Sequence, residues 1–118
     1  MRDILSEIKV QITEDLIQEV IRISRQAGNA IMEVYRTDFD IQLKDDLSPV
    51  TQADKKANAI IESGLKSLEP TIPILSEEGR DISYEERKEW NTFWLVDPLD
   101  GPKDFIKKNG EFTVNIAL

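Results

Sequence analysis

The chain has 118 residues, enough for one domain with a modest hydrophobic core, and carries a net charge of −8. That charge argues against a basic surface that binds nucleic acid. The absence of cysteine and histidine excludes disulfides, thiolate or imidazole metal sites and the Ser-His-Asp triad, which leaves carboxylates, hydroxyls, lysines and hard metal ions for any chemistry. No apolar run reaches the length of a membrane span and the N-terminus lacks a signal peptide's apolar core, so we expect a cytoplasmic protein.

The first predicted helix begins at Thr13. Apolar side chains recur after it at spacings of three and four, which gives the helix one apolar face. Thr13 is a suitable N-cap, and Glu14 and Asp15 suit the positive end of the helix dipole. Gly28 lies inside this helix and predicts a close contact with another helix. Further along, alternating apolar and polar side chains over residues 39–44 predict a strand.

The second predicted helix begins near Thr51 and ends before Pro70. Thr51 and Asp54 are three residues apart and form a pair similar to a capping box. Considered by itself, Asp54 is a first-turn acid that complements the helix dipole. The polar segment before this helix, which contains Lys44 and Asp45, predicts a turn.

An apolar strand over residues 93–96 is predicted to end in a turn at Pro98. Such a turn brings the carboxylates of Asp97 and Asp100 together, with the carbonyl oxygen of Leu99 beside them. Closely grouped oxygen ligands at the end of a rigid strand suit a hard cation such as Mg²⁺. An ordinary Asp-Gly turn after a strand is the alternative interpretation of this stretch.

A second apolar strand, over residues 72–75, leads into Glu77 and Glu78. A solvated acidic turn is the alternative here. Because ligands gather at the C-terminal ends of strands in layered α/β structures, neighbouring strands would place three or four carboxylates at one rim. Bare carboxylates repel one another, whereas bound Mg²⁺ neutralises them and accepts phosphate oxygens. The residues therefore suggest phosphoryl chemistry assisted by Mg²⁺ and carried out without histidine.

The remaining elements are a short charged helix and a final strand. The helix is predicted from Ser83 to about Trp90. Asn109 and Gly110 predict a turn, and the alternation over residues 111–118 predicts a strand. Because a strand without a partner is an exposed edge, we expect self-association or pairing with a separate C-terminal half.

Several segments together resemble the inositol monophosphatase superfamily of magnesium-dependent phosphatases, namely residues 48–54, 74–78 and 94–101. Residues 105–118 resemble the bacterial 3′(2′),5′-bisphosphate nucleotidases more than the inositol phosphatases. The resemblance covers the chain from about Glu14 onward. It implies the α/β (α+β) class and, within it, the N-terminal half of a layered α/β/α/β/α fold. Residues 1–118 would then be a single, truncated phosphatase domain.

The resemblance also implies a role for each matching residue. Two or more Mg²⁺ ions would be held by the carboxylates of Glu77, Asp97 and Asp100 and by the carbonyl of Leu99. Asp54 and Glu77 would be catalytic, with Asp54 behind the nucleophilic water. The substrate would be contacted by Glu77, Leu99, Asp100, Gly101 and Pro102.

The implied substrate is a small phosphorylated nucleotide or sugar. For the nucleotidase branch the reaction is hydrolysis of 3′-phosphoadenosine 5′-phosphate to AMP and phosphate, in sulfur assimilation. A loop containing Lys44 and Asp45 would help to close over the metal site, and the protein would be cytoplasmic, with peripheral association with the inner membrane face. The alternatives are a phosphatase for inositol monophosphate or fructose bisphosphate, and a non-catalytic module that binds metal or a partner.

Pro102 departs from the family pattern, which has threonine after the Asp-Pro-Leu-Asp-Gly segment. That threonine hydroxyl acts with the aspartate matching Asp54 to orient and activate water. Proline has neither a hydroxyl nor a backbone N–H, so this hydrogen bond and an amide contact to phosphate are lost. A W-D-x-A motif that supplies a further metal ligand in the family has no counterpart here. We therefore expect reduced or absent activity in the 118-residue chain.

Overall fold

The computed structural model describes residues 11–36, 48–77, 82–100 and 111–118, with the backbone alone for residues 48–51. Its elements are α1 (Glu14–Tyr35), α2 (Ser48–Leu68), β1 (Ile74–Ser76), α3 (Tyr84–Arg87), β2 (Trp94–Asp100) and β3 (Thr113–Ala117). The strands form a sheet in the order β1-β2-β3, with β1 parallel and β3 antiparallel to β2. This mixture confirms the predicted fold class. The expectations for residues 1–10, 39–44 and 109–110 lie outside the described residues.

The first predicted helix is confirmed as α1. The hydroxyl of Thr13 caps it by accepting a hydrogen bond from the backbone N–H of Leu16 at 3.1 Å. The predicted apolar face supplies its buried residues, Leu16, Ile23, Ala27, Ala30, Ile31 and Val34. The close contact predicted at Gly28 is wrong, since no described atom of another element lies within 4 Å of a Cβ built there. The close approach between the helices is at Gly64 of α2 instead, where a Cβ would lie 2.7 Å from Cγ1 of Ile23.

The second helix begins earlier than predicted. Its first residue is Ser48, three positions before Thr51. Pro49 fits the first turn because a helix leaves its first N–H groups without internal partners. Asp54 therefore lies in the second turn, and its interpretation as a first-turn acid is wrong because that turn contains no acidic residue. The helix ends at Leu68, as the sequence predicts.

The core lies between the two long helices and the sheet. From β2, Trp94, Val96 and Leu99 are buried against residues of α1 and α2. Leu95, between two of them, is 49% exposed, so the strand alternates instead of being buried on both faces. β3 packs on the same core through its half-buried side chains, and Phe112 just before it lies 5.2 Å from the ring of Tyr35.

The predicted charged helix is confirmed as α3 but is only one turn long. It is capped by Ser83, whose hydroxyl accepts a hydrogen bond from the backbone N–H of Glu86 at 3.2 Å. It ends at Arg87, earlier than predicted, because no residue of it is buried and packing does not extend it. Within the described ranges, no helix is both long enough and apolar enough to cross a membrane.

Candidate active site

A bulge in β2, rather than a turn, arranges the two aspartates. The predicted turn at Pro98 is wrong, since β2 continues through it to Asp100. Asp97 lies opposite Asn115 and Asp100 lies opposite Thr113, so three steps along β2 match two steps along β3. The extra residue makes a β-bulge, a position where proline is tolerated because the ladder is already interrupted.

The bulge decides which side chains face the solvent. Pro98 and Leu99 are consecutive and both are buried, which strict strand alternation does not allow. Asp97 is half-buried and Asp100 is exposed. The two carboxylates therefore flank an apolar pair that anchors this segment in the core. The backbone is thus held rigidly where the candidate ligands are presented.

Glu77 is brought beside these aspartates by the sheet. The pairing of β1 with β2 is parallel and places Ser76 opposite Val96. The next residue, Glu77, donates its backbone N–H to the carbonyl oxygen of Val96 at 3.2 Å. The side chain of Glu77 is exposed, and continuing that register by one residue sets Glu77 opposite Asp97. The two strands are therefore neighbours, which is the condition for a shared acidic rim, and Glu77 lies at that rim, whereas Glu78 lies outside the described residues.

The carboxylates influence one another electrostatically. The pKa of Asp97 is raised above its ordinary value of 3.8, first by burial and then by the negative charges of Glu77 and Asp100. A hydrogen bond from the backbone N–H of Leu99 opposes this shift in the pKa. A group of oxygen-only donors that repel one another suits a hard divalent cation. In the part of the chain that the structure describes, however, no three acidic side chains are already arranged to hold a metal ion.

Asp54 is contributed by α2 and is 8% exposed. One helical turn later, the Oδ1 atom of Asn58 accepts a hydrogen bond from the Oγ atom of Ser76 at 2.5 Å, and both residues are buried. This bond joins α2 to the C-terminal end of β1. Sequence reasoning missed Asn58, although an amide between Ala57 and Ile61, on the face of α2 that carries most of its apolar residues, was a signal that could have found it.

A cavity of about 540 Å³ lies beside β1. Its walls come from the second half of α2, the loop to β1, and residues on either side of α3, namely Glu62, Lys66, Pro70, Thr71, Ile72, Pro73, Ile74, Ser76, Ile82 and Trp90. It shares Ser76 with the site but includes none of the predicted acids. The predicted substrate contacts Gly101 and Pro102, and the loop residues Lys44 and Asp45, lie outside the described residues.

Residues 13–118 match the inositol monophosphatase family, and the chain belongs to that family. Among its relatives, the 3′(2′),5′-bisphosphate nucleotidase CysQ of Shigella flexneri is 52% identical over 105 residues, 87% of this chain and 42% of that protein. CysQ of Buchnera aphidicola is 46% identical over 105 residues, 87% of this chain and 39% of that protein. The chain therefore spans less than half the length of these relatives.

Solved structures show the same likeness. CysQ from Bacteroides thetaiotaomicron superposes with a TM-score of 0.77 at 44% identity, covering 90% of this chain and 38% of that one. The extragenic suppressor protein suhB from Bartonella henselae superposes with a TM-score of 0.67 at 29% identity, covering 88% and 38% of the two chains. The predicted family, and the resemblance to its nucleotidase branch, are confirmed.

Proposed function

We propose that this chain forms the metal-binding part of a Mg²⁺-dependent phosphatase that converts 3′-phosphoadenosine 5′-phosphate to AMP and phosphate. The observation that supports this most directly is the group of carboxylates at one sheet rim, where burial and then the charges of Glu77 and Asp100 raise the pKa of Asp97. The likeness to CysQ, a 3′(2′),5′-bisphosphate nucleotidase, favours a nucleotide as the substrate.

Each site residue has a part in this proposal. Glu77, Asp97 and Asp100, with the carbonyl of Leu99, would hold Mg²⁺. Once bound, such ions neutralise phosphate charge and lower the pKa of a bound water. Asp54, on the rigid α2 helix, would orient that water by accepting its hydrogen bond.

Pro102 sets a limit on the rate in this proposal. The residue after Gly101 would contact phosphate, and proline offers neither an N–H nor a hydroxyl for that contact or for orienting water. We therefore propose that the chain binds metal more readily than it turns over substrate. A cytoplasmic location and a role in sulfur assimilation belong to the same proposal and rest on the family resemblance.

Metal binding is tested by calorimetric titration of the chain with Mg²⁺ and Mn²⁺. We expect weak binding that is lost in Asp97→Asn and Asp100→Ala. Asp15→Asn, which removes an exposed acid from the first turn of α1, is the matched control and should bind as the unaltered chain does. Equal heats for the unaltered chain and Asp100→Ala would contradict the site.

Turnover is tested by release of phosphate from 3′-phosphoadenosine 5′-phosphate, inositol monophosphate and fructose bisphosphate. The assay is run with the chain alone and with the segment of Shigella flexneri CysQ that follows the matched region. We expect no release by the chain alone, and nucleotide-specific release in the mixture that increases in Pro102→Thr. Rapid release by the chain alone, abolished by Asp97→Asn, would contradict the limit ascribed to Pro102, and metal binding with no release in any mixture would favour the non-catalytic alternative.

A further inference from the structure

We propose that Asn58 and Ser76 form a positioning pair that fixes Glu77 relative to Asp54 and so sets the metal affinity of the site. The inference rests on the proposed function, because it concerns the same carboxylates. Neither Asn58 nor Ser76 is a candidate metal ligand. Asn58 acts through the helix backbone that it shares with Asp54, and Ser76 acts through the backbone of the adjacent residue, Glu77.

The hydrogen bond between them is short, buried and far from local. Ser76 Oγ lies 2.5 Å from Asn58 Oδ1, the two residues are 18 positions apart, and they are 7% and 9% exposed. A hydrogen bond shielded from water is stronger than one at the surface, and each group is costly to leave unpaired. The bond therefore fixes the position of β1 relative to α2. Packing of apolar side chains alone would fix that position less precisely.

On α2, the hydrogen bond between Asn58 and Ser76 is connected to Asp54. Asn58 follows Asp54 by four residues, so the two side chains lie on the same helix face one turn apart. Both are buried, and the backbone between them is continuous helix. A rigid turn therefore transmits the position of Asn58 to Asp54.

On β1, the same hydrogen bond is connected to Glu77. Ser76 is the last residue of β1, and its side chain points into the core while that of Glu77 is exposed. The backbone of Glu77 is held on one side by the hydrogen bond from its N–H to Val96. β1 has only three residues and, in the described part of the sheet, pairs with β2 alone. The tie from Ser76 to α2 is thus the second fixed point for a short strand end.

Metal ligands need this kind of support. A ligand displaced by about 0.5 Å no longer matches the productive geometry, so groups that lock the ligand contribute to affinity without touching the metal. Removing such supporting groups weakens metal binding by about 10- to 100-fold in other proteins. Loss of the Ser76 hydroxyl should free the end of β1 and weaken binding through Glu77.

The test is calorimetric titration with Mn²⁺ of the unaltered chain, Ser76→Ala, Asn58→Ala and the double variant. We expect each single change to weaken binding about tenfold, and the double change to weaken it no further, because both remove one interaction. Ser76→Thr keeps the hydroxyl and should retain most of the Mn²⁺ affinity of the unaltered chain. Ser63→Ala removes an exposed hydroxyl from α2 and is the matched control, with unchanged affinity expected.

Thermal unfolding in the presence of a chelator separates positioning from a purely structural role. If Ser76→Ala melts earlier yet binds Mn²⁺ as tightly as the unaltered chain, the inference is wrong while the proposed function stands. If the unaltered chain binds no Mn²⁺, both are wrong. Ser76→Cys, which keeps a side chain of similar shape but donates only a weak hydrogen bond, should show weakened binding even if Ser76→Ala does not fold.

Discussion

Gly64 of α2 lies so close to Ile23 of α1 that a methyl group does not fit between the helices. A Cβ built at Gly64 would lie 2.7 Å from Cγ1 and 2.9 Å from Cδ1 of Ile23. Ile23 is 1% exposed and β-branched, so its side chain can move aside only by disturbing the packed core around it. The distance between α1 and α2, the helix that carries Asp54, therefore depends on the absence of a side chain at Gly64.

Gly64→Ala should destabilise the protein even though alanine is the better helix former. The intrinsic gain in helix propensity is about 1 kcal/mol. Forcing a methyl group into a packed core costs about 1–3 kcal/mol. We expect a net loss of about 1 kcal/mol in the free energy of unfolding, measured by urea denaturation.

Gly28→Ala is the matched control for that prediction. Gly28 is also interior to a long helix, but no described atom of another element lies within 4 Å of its Cβ position. The change should therefore stabilise the protein by up to about 1 kcal/mol. Similar effects of the two substitutions would show that Ile23 moves aside and that the contact at Gly64 does not restrict the helices.

Thr13→Ala should destabilise the protein by about 1 kcal/mol, because it removes the side-chain acceptor for the Leu16 N–H at the start of α1. The comparison is Ser83→Ala, which removes an equivalent cap from α3. α3 has four residues and none of them is buried, so its loss should change the free energy of unfolding far less. Denaturation of both variants tests this, and equal losses would contradict it.

The outer edge of β3 is expected to promote self-association. In the described part of the sheet β3 pairs with β2 alone, and strand edges without partners pair with other chains. Sedimentation velocity should show association that increases with protein concentration. Ala117→Lys places a charge on β3 and should reduce it, whereas Gln18→Lys, on the exposed surface of α1, makes the same change in charge and should not. A chain that is monomeric at every concentration would contradict the prediction.

The sequence predicts those features that local chemistry determines. α1 is predicted from cap to buried face because Thr13 and the apolar periodicity act within a few residues of one another. The two helix glycines look alike in sequence, and only the tertiary contact with Ile23 distinguishes Gly64 from Gly28. A proline after a strand predicts a turn, but Pro98 lies in a bulge, because pairing with β3 provides partners that no local rule includes. The carboxylates could thus be named from the sequence, whereas the way in which they are presented could not.

The contribution of Asp97 to the stability of the metal-free protein should be less favourable at neutral pH than in acid. Its pKa is raised above 3.8 in the folded state by burial and by the charges of Glu77 and Asp100, so folding disfavours the ionised carboxylate. The contribution of the protonated group to stability is fully present below pH 3.8 and is lost as the pH rises through the raised folded-state pKa. Asp97→Asn cannot ionise, so with a chelator present it should be more stable than the unaltered chain at neutral pH, by a margin that shrinks on acidification.

Saturating Mg²⁺ should make the unaltered chain more stable than Asp97→Asn at neutral pH, which reverses the order expected without metal. A ligand that binds only the folded state stabilises it, and the unaltered chain should gain more than a variant that has lost a ligand. Melting temperatures across the pH range, with chelator and with Mg²⁺, test both parts. Glu33→Gln, at an exposed position of α1, controls for the change in charge and should leave the response to Mg²⁺ intact. If the unaltered chain and Asp97→Asn show the same pH profile without metal, burial and the neighbouring charges do not raise the pKa of Asp97 enough to affect stability. If they differ without metal but respond equally to Mg²⁺, folding disfavours the ionised carboxylate of Asp97 and yet Asp97 is not a ligand.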